Sequence, residues 1–217
     1  MKPHFNIEQG SDEWHLIRQA KVGGSTSGQL HVKSDTLLEQ LLSEMAEPFQ
    51  VPDEGFITAP MQRGKDLEPL AVAEVAKYTG LSFMSVGWLQ SDECELIGAS
   101  PDAITEDLTE IIETKCPNAK THISYLRADI LPIDYVDQVT HYFAIHPELQ
   151  KVHFASYRPE CIKPLFVKTI TRDSVVNVGT KARPVMLSVG DYAKEKVTLA
   201  QSLTVRLKEE INKLNEI

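Results

Sequence analysis

Cysteine is scarce in this chain and shows no pairing pattern. Cys94, Cys116 and Cys161 are odd in number and form no CxxC spacing. That excludes a disulfide framework and a four-thiolate zinc or iron–sulfur site, and it reads as three reduced thiols in a cytosolic protein. Long apolar runs are missing too. No stretch approaches the roughly 20 residues that cross a bilayer, and MKPHFNIEQG lacks the apolar segment of a secretory signal, so neither a membrane span nor export is expected. Positive charge is not in excess: the net charge is −9, the wrong sign for a protein that coats nucleic acid non-specifically. An enzyme is less disfavoured than a simple binding module, because its carboxylates inflate the acidic count before cations bind. His4, His15, His31, His122, His141, His146 and His153 form no HExxH or similar ligand spacing and read as structural or exposed. No P-loop, dinucleotide fingerprint or GxSxG elbow occurs, and nothing repeats at a fixed period.

What is present suits one well-filled core. The 217 residues are 42% apolar, which predicts a single domain over 1–217. Charged residues make up 24% without a low-complexity tract, so extended disorder is not expected.

The chain is organised around Gly98–Pro117, GASPDAITEDLTEIIETKCP. Glu110–Lys115 carries a β-branched apolar pair and is stopped by Pro117, so it reads as a short buried strand. Alternation on a strand points Glu113 and Lys115 one way and Thr114 the other. Glu95–Ala99 (ELIGA) reads as a second strand delivering Asp102 from a turn. A hairpin closed over Thr105–Thr109 then brings Asp102 beside Glu113. Two carboxylates and a lysine so placed suit a hard divalent cation, which prefers oxygen ligands. Lys115 can orient water or neutralise charge growing on a phosphate. The pattern resembles the PD-(D/E)xK nuclease signature. Taken alone, the same residues also fit a turn carboxylate and a weak exposed Glu–Lys pair.

Elsewhere, Ser11 caps a helix over Asp12–Arg18, with Trp14 and Ile17 towards the core. Lys21–Gly28 is a small-residue turn opening a short helix to Val32; its amides, with the hydroxyls of Ser25 and Ser27, suit an anion or simply cap the helix. Asp35–Ala46 is an amphipathic helix with Leu37, Leu38, Leu41, Leu42 and Met45 inward. Glu47–Phe56, with two prolines and a glycine, is a loop. A longer helix from about Thr58 to Tyr78, stopped by Gly80, should kink at Pro69. On it, Gly64 permits close backbone approach and Glu68 lies one turn on. Leu81–Leu89 reads as a strand, Ala119–Ala128 as a helix and Tyr135–Ile145 as a helix with Val136, Val139, Tyr142 and Phe143 inward. Gln138, one turn before Tyr142, is a buried amide in need of partners or a polar residue at the stripe's edge. Lys151–Arg158 and Leu165–Ile170 are strands. Asp191–Leu214 is a helix whose stripe (Val197, Ala200, Leu203, Leu207, Ile211, Leu214) is core packing or a subunit interface.

Six of these motifs occur in a characteristic order: EQGSDEWHLIR, the small-residue turn ending in Ser25, GKDLE at Gly64–Glu68, ASPD, ETKCP and YVDQV around Gln138. Together they resemble the phage lambda exonuclease family, the YqaJ-type viral recombinase nucleases, over roughly Glu8–Asp173. The resemblance implies an α/β (α+β) PD-(D/E)xK core with a central mixed sheet flanked by helices. It implies metal ligation by Asp102, Glu113, the Thr114 carbonyl and Glu68, catalysis by Lys115, and a supporting role for Gln138. Arg18, Ser25 and Ser100 match the groups that hold a terminal 5′-phosphate, and Met61 matches an apolar wedge at the duplex end. The implied activity is a 5′→3′ exonuclease on linear double-stranded DNA that leaves 3′ overhangs. Magnesium is the expected cofactor, two ions in all, with manganese as a substitute. A homotrimer, a single-strand annealing partner and the cytoplasm of a bacterial host, with phage or prophage origin, complete the expectation. Other nucleases on the same core (a structure-specific endonuclease, or a RecB- or Cas4-like enzyme) and an inactive DNA-binding module are the alternatives. One departure is visible: the family commonly has Gly after the motif aspartate, where this chain has Ala103, so strain in that turn is expected.

Overall fold

The computed structural model describes residues 1–51 and 58–216. In chain order the strands are β1 (Lys2–His4), β2 (Phe83–Met84), β3 (Trp88–Gln90), β4 (Gly98–Ala99), β5 (Ala103–Thr105), β6 (Glu110–Lys115), β7 (Lys151–Tyr157), β8 (Leu165–Ile170), β9 (Val175–Asn177) and β10 (Met186–Ser188). The helices are α1 (Asp12–Arg18), α2 (Thr36–Ala46), α3 (Ala59–Thr79), α4 (Ala119–Ala128), α5 (Val136–Ile145) and α6 (Val189–Asn215), with 3-10 segments at Gly24–His31 and Ile133–Tyr135.

The central sheet is mixed, in the order β2-β5-β6-β7-β8. Only β6 and β7 run parallel, because α4 and α5 carry the chain back between them; the other neighbours are antiparallel. Side-chain alternation divides β6 between two layers. Ile112 packs with Ala103, Ala155 and Val75 of α3 on one face. Ile111 joins Val152, Phe154, Val139 and Phe143 in the larger core on the other. This is the mixed α/β architecture expected from the sequence.

A second sheet, β1-β3-β4, stands beside it, and here two expectations need correction. ELIGA is not one strand: only Gly98–Ala99 is extended, and it pairs with β3 instead of β6. Ile97 forms a separate parallel bridge with Val22. LSFMSVGWL likewise splits, with Phe83–Met84 joining β5 and Trp88–Gln90 joining β1 and β4. Alternation identified extended chain there, but it carries no information on which neighbour completes the ladder. The hairpin that presents Asp102 is therefore β5–β6, with the Asp102 N–H donating to Ile112 O at 3.2 Å.

Other departures are local. No protein atom lies within 4 Å of a Cβ built on Gly64, so nothing among the described residues exploits its small size. Met45 and Leu214 are exposed, and α1 buries no residue fully. Beyond Leu207, α6 has run past the core that its stripe serves. Ala103 is unstrained, because it is an ordinary residue of β5 and not one of the positive-φ positions. The expected loop Glu47–Phe56 lies partly outside the described residues. No helix among them is long and apolar enough to cross a membrane.

Candidate functional site

Glu113 is only 1% exposed, and a carboxylate so buried requires donors. It has three. Oε1 accepts from Lys115 Nζ and from Gln138 Nε2 at 2.7 Å, and Oε2 accepts from the Tyr142 hydroxyl. Gln138 and Tyr142 are four residues apart on α5, so both face β6. Burial first, and then the charge of Glu113, hold the Tyr142 hydroxyl well above its ordinary pKa, so it stays a donor. Burial alone would lower the Lys115 ammonium, but Glu113 and Asp102 outweigh it and keep the lysine charged.

Asp102 stands beside this end of β6. Its Oδ2 accepts from the Thr114 N–H at 2.6 Å and the Thr114 hydroxyl at 2.7 Å. Burial, then Glu113 and Glu68, push the Asp102 carboxyl well above the usual range, against the pull of Thr114 and Lys115. Glu68, reaching in from α3, is raised by burial and by Glu113. Three carboxylates thus crowd one end of β6, with Lys115 among them.

These groups suit a hard cation in kind. All are oxygen donors, their mutual repulsion is the condition a divalent ion relieves, and among the described residues Asp102 Oδ1 and both Glu68 oxygens accept no hydrogen bond. Still, no three His, Cys, Asp or Glu side chains among the described residues stand close enough to hold an ion as they are. An ion shared by Asp102, Glu113 and Glu68 requires these side chains to draw together.

A cavity of about 150 Å³ adjoins this cluster, lined by Arg18, Gly24, Ser25, Ser100, Gln138 and Tyr142 among others. The last two are the residues that hold Glu113. Arg18 is stacked 3.7 Å from the Trp14 ring centroid; burial lowers its pKa, yet a guanidinium remains charged at any physiological pH. Trp14 Nε1 in turn donates to Ser100 Oγ at 2.8 Å and to Gly87 O at 3.0 Å, while the Ser100 hydroxyl donates to Gly87 O. One indole therefore orients two of the anticipated phosphate contacts. Ser25 is exposed at the start of the 3-10 segment. Met61 is not part of this cavity; it stands 56% exposed on the first turn of α3.

Sequence reasoning brought Asp102, Glu113, Lys115, Glu68, Gln138, Arg18, Ser25 and Ser100 to one region. It treated Trp14 and Tyr142 as core residues only, and it overlooked the Thr114 hydroxyl. The spacing of Gln138 and Tyr142 on one helical face was the available signal for Tyr142. For Trp14 there was none, because its two partners are distant in sequence.

The chain is similar to known proteins in sequence and fold. The model of the YqaJ-like viral recombinase domain matches residues 13–147, a segment containing every residue of both clusters named above. The crystal structure of an alkaline exonuclease from Laribacter hongkongensis is similar with a TM-score of 0.76 at 27% identity, covering 95% of this chain and 97% of that one. A structure of LHK-Exo in complex with dAMP is similar with a TM-score of 0.72 at 25% identity and the same coverage. No curated protein sequence is matched. The family model spans more than half of the chain, and the chain belongs to the YqaJ-like viral recombinase domain family.

Proposed function

We propose that this protein is a metal-dependent 5′→3′ exonuclease acting on linear double-stranded DNA and leaving 3′ single-stranded overhangs for phage-type recombination. The observation that carries the reading is the continuity between the two clusters: the cavity with Arg18, Ser25 and Ser100 shares Gln138 and Tyr142 with the buried Glu113. An anion pocket one side chain away from a carboxylate–lysine cluster suits an enzyme that grips a terminal phosphate and cuts the next one. The likeness to an alkaline exonuclease, and to LHK-Exo in complex with dAMP, supports the same reading.

In this account Arg18 holds the 5′-phosphate by charge and paired N–H groups, with Ser25 and the Gly23–Gly24 turn beside it. Ser100 and Trp14 fix the pocket's wall. Asp102, Glu113, Glu68 and the Thr114 carbonyl would hold magnesium, or manganese in its place, two ions in all. Bound there, such ions polarise the phosphoryl group and make water a better nucleophile. The Lys115 ammonium opposes the negative charge that grows on the scissile phosphate. Gln138 and Tyr142 keep Glu113 from turning away. Water's oxygen joins phosphorus as the bond from phosphorus to the terminal nucleotide's O3′ breaks. The products are a 5′-mononucleotide and a strand that again begins with a 5′-phosphate. Each cut thus regenerates the group that the pocket binds. Met61 would wedge the duplex end. A homotrimer, a single-strand annealing partner, one domain over 1–217 and a phage or prophage gene acting in the host cytoplasm remain part of the proposal.

The test is a linear duplex and a covalently closed circle of the same sequence, in magnesium and in chelator. The expected result is degradation of the linear form alone and none in chelator. Nicking of the circle would replace the exonuclease by an endonuclease on the same core, and binding without cutting would leave an inactive module.

A further inference from the structure

One buried charge has no task in this scheme. Lys196 on α6 has no exposed surface. Its ammonium donates to Asp137 Oδ1 at 2.7 Å and to Ser27 Oγ at 3.3 Å. Tyr192, one turn earlier on α6, donates its hydroxyl to the same Asp137 oxygen at 2.8 Å. Ser27 Oγ also bonds to the carbonyls of Gly24, at 2.9 Å, and Asp137, at 3.0 Å. The Gly24–His31 segment therefore meets α5 and α6 around an ion pair whose lysine is fully buried and whose aspartate side chain is 43% exposed.

The neighbours of these residues belong to the phosphate pocket. Asp137 precedes Gln138, and Ser27 is two residues beyond Ser25. Packing at the junction is close: a Cβ on Gly28 would lie 2.7 Å from Asp137 Oδ2, and one on Gly24 would lie 3.2 Å from Gln138 Cγ. A shift of Asp137 thus reaches both walls of the pocket. Stability alone does not call for such a pair, because burying the ammonium costs several kcal/mol and an apolar residue of similar length often serves as well. What an ion pair adds is one defined geometry.

We propose that Lys196 and Asp137 are positioning residues for the 5′-phosphate pocket. They clamp the Gly24–Ser27 turn against α5, so that Ser25 and the turn's amides face Gln138. The inference rests on the proposed reading of that pocket. It also gives α6, which lies outside the segment matched by the family model, a part in binding the DNA end.

The experiment compares wild type, Lys196→Met, Asp137→Asn and the double variant. Cleavage of 5′-phosphorylated and 5′-hydroxyl linear duplexes is measured alongside thermal unfolding and amide exchange at residues 24–28. Asp137→Asn, which leaves the buried Lys196 ammonium without its counter-charge, should unfold at lower temperature, and the double variant should regain most of that loss, because no unpaired charge stays buried. All three should raise KM for phosphorylated ends about tenfold, with kcat and the hydroxyl-end rate within about twofold. Exchange at the turn should accelerate in all three. Variants that lose stability yet keep the wild-type preference for phosphorylated ends and slow exchange would overturn the inference and leave the pair merely structural. A wild type indifferent to the 5′-phosphate would instead overturn the pocket reading, and turn exchange would still decide whether Lys196 holds that segment.

Discussion

Replacing Lys115 by methionine is expected to lower the cleavage rate by about 10²–10⁴-fold while leaving DNA-end binding within about threefold of wild type. Position and charge set this effect. Lys115 is the cation bonded to Glu113, and it is kept protonated by Glu113 and Asp102 against the effect of burial. An interaction with charge that develops only during reaction contributes to kcat and little to binding. Methionine keeps the length of the side chain and much of its packing. Glu113 retains the Gln138 and Tyr142 donors, so the stability cost should be about 1–3 kcal/mol. Single-turnover cleavage, end binding and thermal unfolding of one preparation separate these effects. A variant that cuts at the wild-type rate would remove Lys115 from the chemistry.

Gly98→Ala should have the largest effect on folding. A Cβ at Gly98 would enter the space of the Trp88 indole and lie 2.7 Å from Leu89 O. Trp88 is 1% exposed, so it has no room to yield. Gly98 O also shares the Nε2–H of His141 with Val22 O, at 3.2 Å each. Burial lowers the His141 pKa to about 3, so at neutral pH this is a neutral ring donating from Nε2. Overpacking at such a site costs about 1–3 kcal/mol or more, which lowers Tm by roughly 2–4 °C per kcal/mol in a chain of this size. Because Trp88 also lines the cavity with Arg18, phosphate-end preference should fall with it. Gly64→Ala is the contrast. Gly64 is inside α3 with open space around its α-carbon, so alanine there should stabilise by roughly 0.5–1 kcal/mol. Unfolding midpoints of the two variants check both signs.

Local chemistry made some of this readable from the residues alone. The strand Glu110–Lys115 and the helices Asp12–Arg18 and Ala119–Ala128 form where capping residues and β-branched runs predict them. The order of six motifs was enough to identify the family. Strand pairing was a different matter. ELIGA and LSFMSVGWL are extended only in part, and the partners of those parts are chosen by contacts remote in sequence, such as Val22 with Ile97 and His4 with Trp88. β1, β9 and β10 are three residues each, too short for periodicity to declare. The same limit hid the supporting residues of the site. Trp14 meets Ser100 across 86 positions and Lys196 meets Asp137 across 59, and neither pairing leaves a local pattern. A lysine in a helical stripe of Val197, Ala200 and Leu203 reads as solvated until its partner is seen.

The most direct test of the account uses linear duplexes labelled at the 5′-terminal or the 3′-terminal nucleotide, with a 5′-phosphate or a 5′-hydroxyl, in magnesium. The account predicts early release of the 5′-terminal label as a mononucleotide, at least about tenfold faster from phosphorylated ends, with the 3′ label retained. Release of the 3′ label first, or equal rates from both kinds of 5′ end, would contradict it.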